Sequence, residues 1–173
     1  GKCYGSSTVG TTHNTFFLGD IFRFIETTDA KKYKEFFKNL SARFIAEEPC
    51  LGAVSEESLA KIMTEQEIYD DKLDMWRYHT KTNPALAKEI FDYMLIFAEK
   101  LLGHFKDPKD RLFKLQYMQY EWIRVSFERV RREKWFCSGV IYWMLNDCWP
   151  AASGWALIDY YNKPKAGYYA FKR

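Results

Sequence analysis

The sequence predicts an α/β fold, and three observations carry that expectation. The run Ser138 to Tyr142 holds no charge, is bounded by Gly139, and reads as a strand buried on both faces, as in a parallel sheet covered by helices. Two long segments place apolar residues at helical spacing: Leu86, Ile90, Tyr93, Phe97 and Leu101 in one, Leu112, Leu115, Met118, Trp122 and Val125 in the other. Strand-like and helix-like stretches follow in the order strand, helix, strand, two long helices, strand, helix, the order that right-handed βαβ units around a parallel sheet produce.

Taken from the start, residues 1–18 are rich in Gly, Ser and Thr and read as a short strand end followed by a long loop. Gly19 to Glu26 reads as a strand that ends before Thr27-Thr28-Asp29. Asp29 is placed to cap a helix through about Asn39, with Tyr33, Phe36 and Phe37 on its apolar side. Ala42 to Glu47 reads as the next strand, stopped by Pro49. Ser55 and Ser58 open a helix-prone stretch to about Met63, and 65–82 reads as irregular chain or short helices. Pro84 suits the first turn of the first long helix, which Gly103 ends, and the second covers about 109–133. A strand over 138–145 and a last helical stretch from Pro164 to Lys172 complete the chain. With no internal repeat and no low-complexity stretch, residues 1–173 are expected to form a single domain.

Composition excludes several functions. At 173 residues with 47% apolar and 28% charged positions, the chain is long enough for a real core. A formal charge of +3 is too small to imply a nucleic-acid partner. The basic run Arg124, Arg129, Arg131, Arg132 and Lys134 is interleaved with Glu121, Glu128 and Glu133, the pattern of ion pairs on a solvated helix face. No stretch has the length and apolarity of a membrane span, and the start has no signal-peptide pattern. Cys3, Cys50, Cys137 and Cys148 lie far apart without CxxC spacing, so free thiols and no metal site are expected. Cys137 and Cys148 flank one strand and would sit about 30 Å apart if extended.

The chemistry gathers at the end of that last strand. After the apolar run come Trp143, Asn146, Asp147, Trp149 and Trp155, a mixture of flat apolar faces, amide and carboxylate that suits a sugar. The run Leu145-Asn146-Asp147-Cys148-Trp149-Pro150 resembles, nearly letter for letter, the eighth strand of the catalytic barrel of glycoside hydrolase family 2, the β-mannosidase branch above all. Arg43-Phe44-Ile45-Ala46-Glu47 resembles the seventh strand, Gly19-Asp20 the opening of the sixth, and Cys3 to Ser7 the fifth. Ile158-Asp159-Tyr160-Tyr161, Pro164-Lys165-Ala166 and Tyr168-Tyr169 are similar to the β-mannosidase ending. The resemblance implies the C-terminal half of a TIM (β/α)8 barrel, about strands 5–8 with their helices. It also implies partners: the remaining half of the barrel and β-sandwich domains of a parent protein.

The function so implied is glycoside hydrolysis, retaining and acting from the chain end. β-Mannoside is the first-choice substrate, with β-glucosaminide, β-galactoside and β-glucuronide behind it. Glu47 matches the nucleophile, at the C-terminal end of a strand where barrel enzymes place reacting groups. The acid/base Glu belongs to an Asn-Glu pair that would lie upstream of Gly1, and no Asn-Glu dipeptide occurs here, so residues 1–173 alone are expected to be inactive and, with sheet edges open, poorly soluble. Trp143 matches an aromatic that floors the sugar subsite, against the alternative of plain core, and a non-proline cis peptide would follow it. Asn146 and Asp147 bind hydroxyls or serve as Asx turns. Trp149 and Trp155 touch sugar or lie beneath the loop. Trp76 and His79 resemble a Trp-xx-His stretch near the rim, Trp76 being a candidate substrate contact and His79 a cap. No cofactor is needed, and no residues have metal spacing.

Departures from the pattern support an alternative, a degenerate barrel that binds glycans or only scaffolds its neighbours. Where the family reads Ser-Glu-Phe-Gly, this chain has Ala46-Glu47-Glu48-Pro49, and adjacent strand residues cannot both face a sugar. Glu48 therefore supports the site from behind or is solvated. Phe22 and Phe24 stand where the branch carries His and Trp.

Overall fold

The computed structural model describes residues 21–39, 42–82, 84 and 86–173. The expected fifth strand, the Gly19-Asp20 opening, Cys3, His13 and Asn14 lie outside these residues. Eight helices and four short strands occur among those described, a mixed helix–strand architecture.

The strand expected over Gly19–Glu26 is instead helix α1 (Ile21–Thr27) over its described part. Among the described residues no strand lies beside it, and helical bonds such as Thr28 N–H to Phe24 O at 2.8 Å satisfy its backbone. Phe24 meets Trp122 edge-on with centroids 6.1 Å apart, and Ile25 is buried. Helix α2 (Ala30–Asn39) begins as expected, because Asp29 Oδ1 accepts from the N–H groups of Lys31 and Lys32, both at 2.9 Å.

Strand β1 (Ile45–Pro49) pairs in parallel with β3 (Val140–Trp143), with Ile45 opposite Val140, Glu48 opposite Tyr142 and Pro49 opposite Trp143. Pro49 is thus the last residue of the strand rather than its stop: its missing N–H falls where the ladder ends. The expectation that this second strand is buried on both faces fails. Ile141 and Trp143 are 55% and 51% exposed, while Val140 and Tyr142 on the other face are half-buried. Among the described residues only that other face is covered, Tyr142 lying against Phe127 and Phe171.

A two-residue antiparallel pair, β2 (Gly52–Ala53) with β4 (Ser153–Gly154), follows the rim of the first sheet. Between β2 and the long helices lie α3 (Glu56–Leu59), capped by Ser55, α4 (Glu65–Tyr69), closed by a Thr64–Glu67 capping box, and α5 (Asp74–Tyr78). The first long helix, α6 (Ile90–Leu102), starts later than Pro84 suggests, and Pro84 sits in a turn. Residues 87–89 are exposed, and the burial that sustains the helix begins at Ile90 and continues through Tyr93 and Phe97. Gly103 ends it with φ +84°.

Helix α7 (Pro108–Arg132) is capped by Asp107 and buries Leu112, Leu115, Met118 and Trp122, with Val125 half-buried. Two members of its basic run are paired: Arg124 reaches Glu121 at 2.7 Å and Glu128 at 2.9 Å, and Arg129 reaches Glu133 at 2.5 Å. Cys50, Cys137 and Cys148 are free thiols. Helix α8 (Ala166–Lys172) packs on α7 so closely that a Cβ at Gly167 would come within 2.6 Å of Ile123 Cδ1 and 2.9 Å of Gln119. Gly167→Ala should therefore lower stability by about 1–3 kcal/mol in chemical denaturation of the intact protein, the usual range for overpacking. An unchanged midpoint would mean that α8 does not dock there.

Candidate active site

The C-terminal ends of β1 and β3 lie side by side, because the pair is parallel and its register sets Pro49 opposite Trp143. A cleft of about 880 Å3 opens at this rim, with Glu47, Trp143, Trp149, Trp155 and Lys81 in its wall. Among its described lining residues Glu47 is the sole carboxylate and Lys81 the sole cation.

Burial tells the two glutamates apart, in a strand whose register shifts between Ile45 and Glu48. Glu48 is wholly buried, and its Oε1 accepts from Trp122 Nε1–H at 2.8 Å, so it is not solvated. Glu47, half-buried, lines the cleft. Trp143 stands half out of the surface and the peptide to Met144 is cis. Trp149 and Trp155 are half-buried.

Three other sequence candidates lie off the cleft wall. Trp76 is a core residue, 1% exposed: it stacks on Phe91 at 5.2 Å, and its Nε1–H donates to the Ile68 carbonyl at 3.0 Å. The inward side of α5 carries it toward α4 and α6, away from the rim. Asn146 is exposed, with its amide nitrogen 3.2 Å from the Asp147 carbonyl oxygen. The Asp147 side chain is enclosed; neither oxygen accepts a hydrogen bond, and its nearest cation is Lys81, Nζ to Oδ1 3.9 Å. Burial pushes its carboxyl above the usual carboxylate range, against the pull of Lys165 and Lys81. His79 ends α5, and its carbonyl accepts from Ala152 N–H at 2.9 Å.

Lys81 and Lys165 are the residues that sequence reasoning passed over. Thr80 Oγ1 and Ser153 Oγ lie 2.7 Å apart and clip the segment before Lys81 to β4. Lys165 is buried, with its ammonium donating to the Gly154 carbonyl at 2.8 Å. The one sequence hint was the placement of both lysines beside family-like motifs, Trp76-xx-His79 and Pro164-Lys165-Ala166. Among the described residues no group of three or more His, Cys, Asp or Glu is arranged to hold a metal ion.

Desolvation pushes the Lys165 ammonium down from about 10.5 to about 8, with Asp147 opposing. A lowered lysine contributes stability above its unfolded value and loses it as pH falls through the folded one. Between pH 8 and pH 10 the stability of the natural protein should thus rise relative to Lys165→Met by about 2 kcal/mol, read from urea midpoints. A pH-independent difference would mean that the lysine is not desolvated.

Comparison with known proteins follows the motifs. No family model matches the chain. It is 34% identical over 133 residues to an exo-β-D-glucosaminidase of Arthroderma benhamiae, covering 70% of this chain and 14% of that protein. A β-mannosidase B of Thermothelomyces thermophilus is 35% identical over 78 residues, 42% of this chain and 9% of the relative. The crystal structure of a β-D-mannosidase from Dictyoglomus thermophilum superposes with a TM-score of 0.72 at 27% identity, over 92% of this chain and 18% of that one. The chain spans less than a fifth of each. In sequence and in fold, the chain resembles one part of much longer β-mannosidase-like glycoside hydrolases of family 2.

Proposed function

We propose that this chain supplies the second half of the (β/α)8 catalytic barrel of a retaining exo-β-glycosidase, with Glu47 as nucleophile and a β-mannoside as first-choice substrate. The observation that carries this reading is the cleft carboxylate at the C-terminal end of β1 beside an outward-facing tryptophan at the end of the adjacent parallel strand. Barrel enzymes gather their reacting groups at that end of the sheet.

In this reading Glu47 attacks the anomeric carbon as the bond to the aglycone oxygen breaks, and an upstream glutamic acid protonates the leaving oxygen. Water then cleaves the glycosyl-enzyme, giving its proton back to the same upstream carboxylate. Trp143 offers its face to the sugar's C–H surface and to the positive charge that develops at the ring. The exposed side chains of Ile141 and Leu145 fit a surface that the remaining strands of a barrel would cover. The exo-β-D-glucosaminidase and β-mannosidase relatives support both β-mannoside and β-glucosaminide as substrate classes.

Covalent trapping tests the proposal. Incubating the intact protein with 2-fluoro β-glycosyl fluorides of the manno, gluco and galacto series should leave an adduct on the peptide carrying Glu47. Glu47→Ala should lower turnover at least ~10³-fold and abolish the adduct. Unchanged turnover removes Glu47 from the mechanism. Sugar binding without adduct or turnover selects the non-catalytic barrel instead.

A further inference from the structure

We infer that Lys81 is a specificity-determining residue of the cleft, whose ammonium disfavours a glycone bearing a cationic 2-amino group and favours one that is neutral or carries an acid group. The inference rests on the glycosidase reading of the cleft and narrows its substrate class.

The position of Lys81 is fixed from three sides. Thr80, the residue before it, is buried and lies within hydrogen-bonding distance of Ser153, which anchors the backbone. Behind the ammonium lies the enclosed Asp147 carboxylate, 3.9 Å away. The Trp155 ring lies beneath it, with the centroid 5.4 Å from Nζ, within cation–π range. Yet the side chain keeps 23% of its surface exposed, and that surface opens on the cleft. This is a cation held in a wall, unlike a solvated lysine that swings away from an unwelcome charge.

Asp147 moderates that charge without cancelling it. Lys165, buried and donating to the Gly154 carbonyl, acts on the same carboxylate from beyond ion-pair distance. Asp159, the other buried acid of this region, is committed elsewhere: it accepts from Ser58 Oγ at 2.5 Å and from the backbone of Tyr161 and Lys163. Two ammonium groups therefore act on the Asp147 carboxylate, and the one that lines the cleft is Lys81.

Like charges brought together in a partly desolvated cleft repel far more strongly than in water. A glucosammonium bound against Trp155 would meet Lys81 at short range, whereas a uronate would gain a charge-assisted hydrogen bond. Of the two sugar classes in the relatives' names, this favours the mannoside over the glucosaminide.

The test is equilibrium binding of three non-hydrolysable thioglycosides, of β-mannose, β-glucosamine and β-glucuronic acid, to the intact protein by titration calorimetry at pH 6.5. The glucosaminide should bind at least about tenfold more weakly than the other two, the expected size of a close charge effect. Lys81→Met should shrink that gap by about tenfold, while Lys81→Arg should keep it. A gap unchanged in Lys81→Met, or a glucosaminide that binds tightest to the natural protein, overturns the inference alone. No binding by any of the three overturns the glycosidase reading and this inference with it.

Discussion

The contact between Trp122 and Glu48 is the constraint on which the geometry of the rim depends. Both partners are buried, and the indole N–H reaches the carboxylate across the interface between α7 and β1. One turn earlier on α7, Gln119 donates to the Cys50 carbonyl at 3.0 Å and to that of Ala156 at 3.2 Å, tying the strand end to the loop that carries Trp155. With Glu48 seated on the helix, its neighbour Glu47 lines the cleft. The acidic pair that looked anomalous in sequence is divided between two tasks: one carboxylate anchors the strand, and the other lines the cleft.

A second layer of polar contacts sets the loops around that strand end. Thr80 with Ser153, the backbone bridge between Asn146 and Ile158, and Lys165 with Gly154 each join segments far apart in sequence. Placing a lysine and an aspartate together out of water is costly and strongly dependent on geometry.

What could be read from the sequence was what is encoded locally. Asp29 and Ser55 announce helix starts through capping chemistry, and the stripe Leu112, Leu115, Met118, Trp122 announces the buried side of α7. The parallel pairing of β1 with β3 and the rim position of Trp143 followed from strand pattern and motif together. Tertiary context decided the rest. Ile21 to Thr27 has apolar residues that serve either a strand or a helix, and its packing against α6 and Trp122 chose the helix. Two-residue strands such as Gly52–Ala53 have no periodicity to detect. Trp76 could not be assigned to core or rim from its neighbours, because five residues of α5 do not define a face. Lys165 becomes a buried charge only through groups contributed by Gly154 and Asp147.

The close seating of Gln119 between two glycines also limits how related sequences are able to diverge. A Cβ at Gly52 would fall 2.6 Å from the Cβ of Gln119, an atom every residue but glycine possesses, so no trimming of position 119 short of glycine relieves it. At Gly167 the conflict is with the far ends of Gln119 and Ile123, which shorter side chains would withdraw. Position 52 is therefore closed to change on its own, while 167 is free to drift once 119 and 123 have drifted first. Epistasis of this directional kind, in which the order of substitutions matters, is written into the packing of one glutamine.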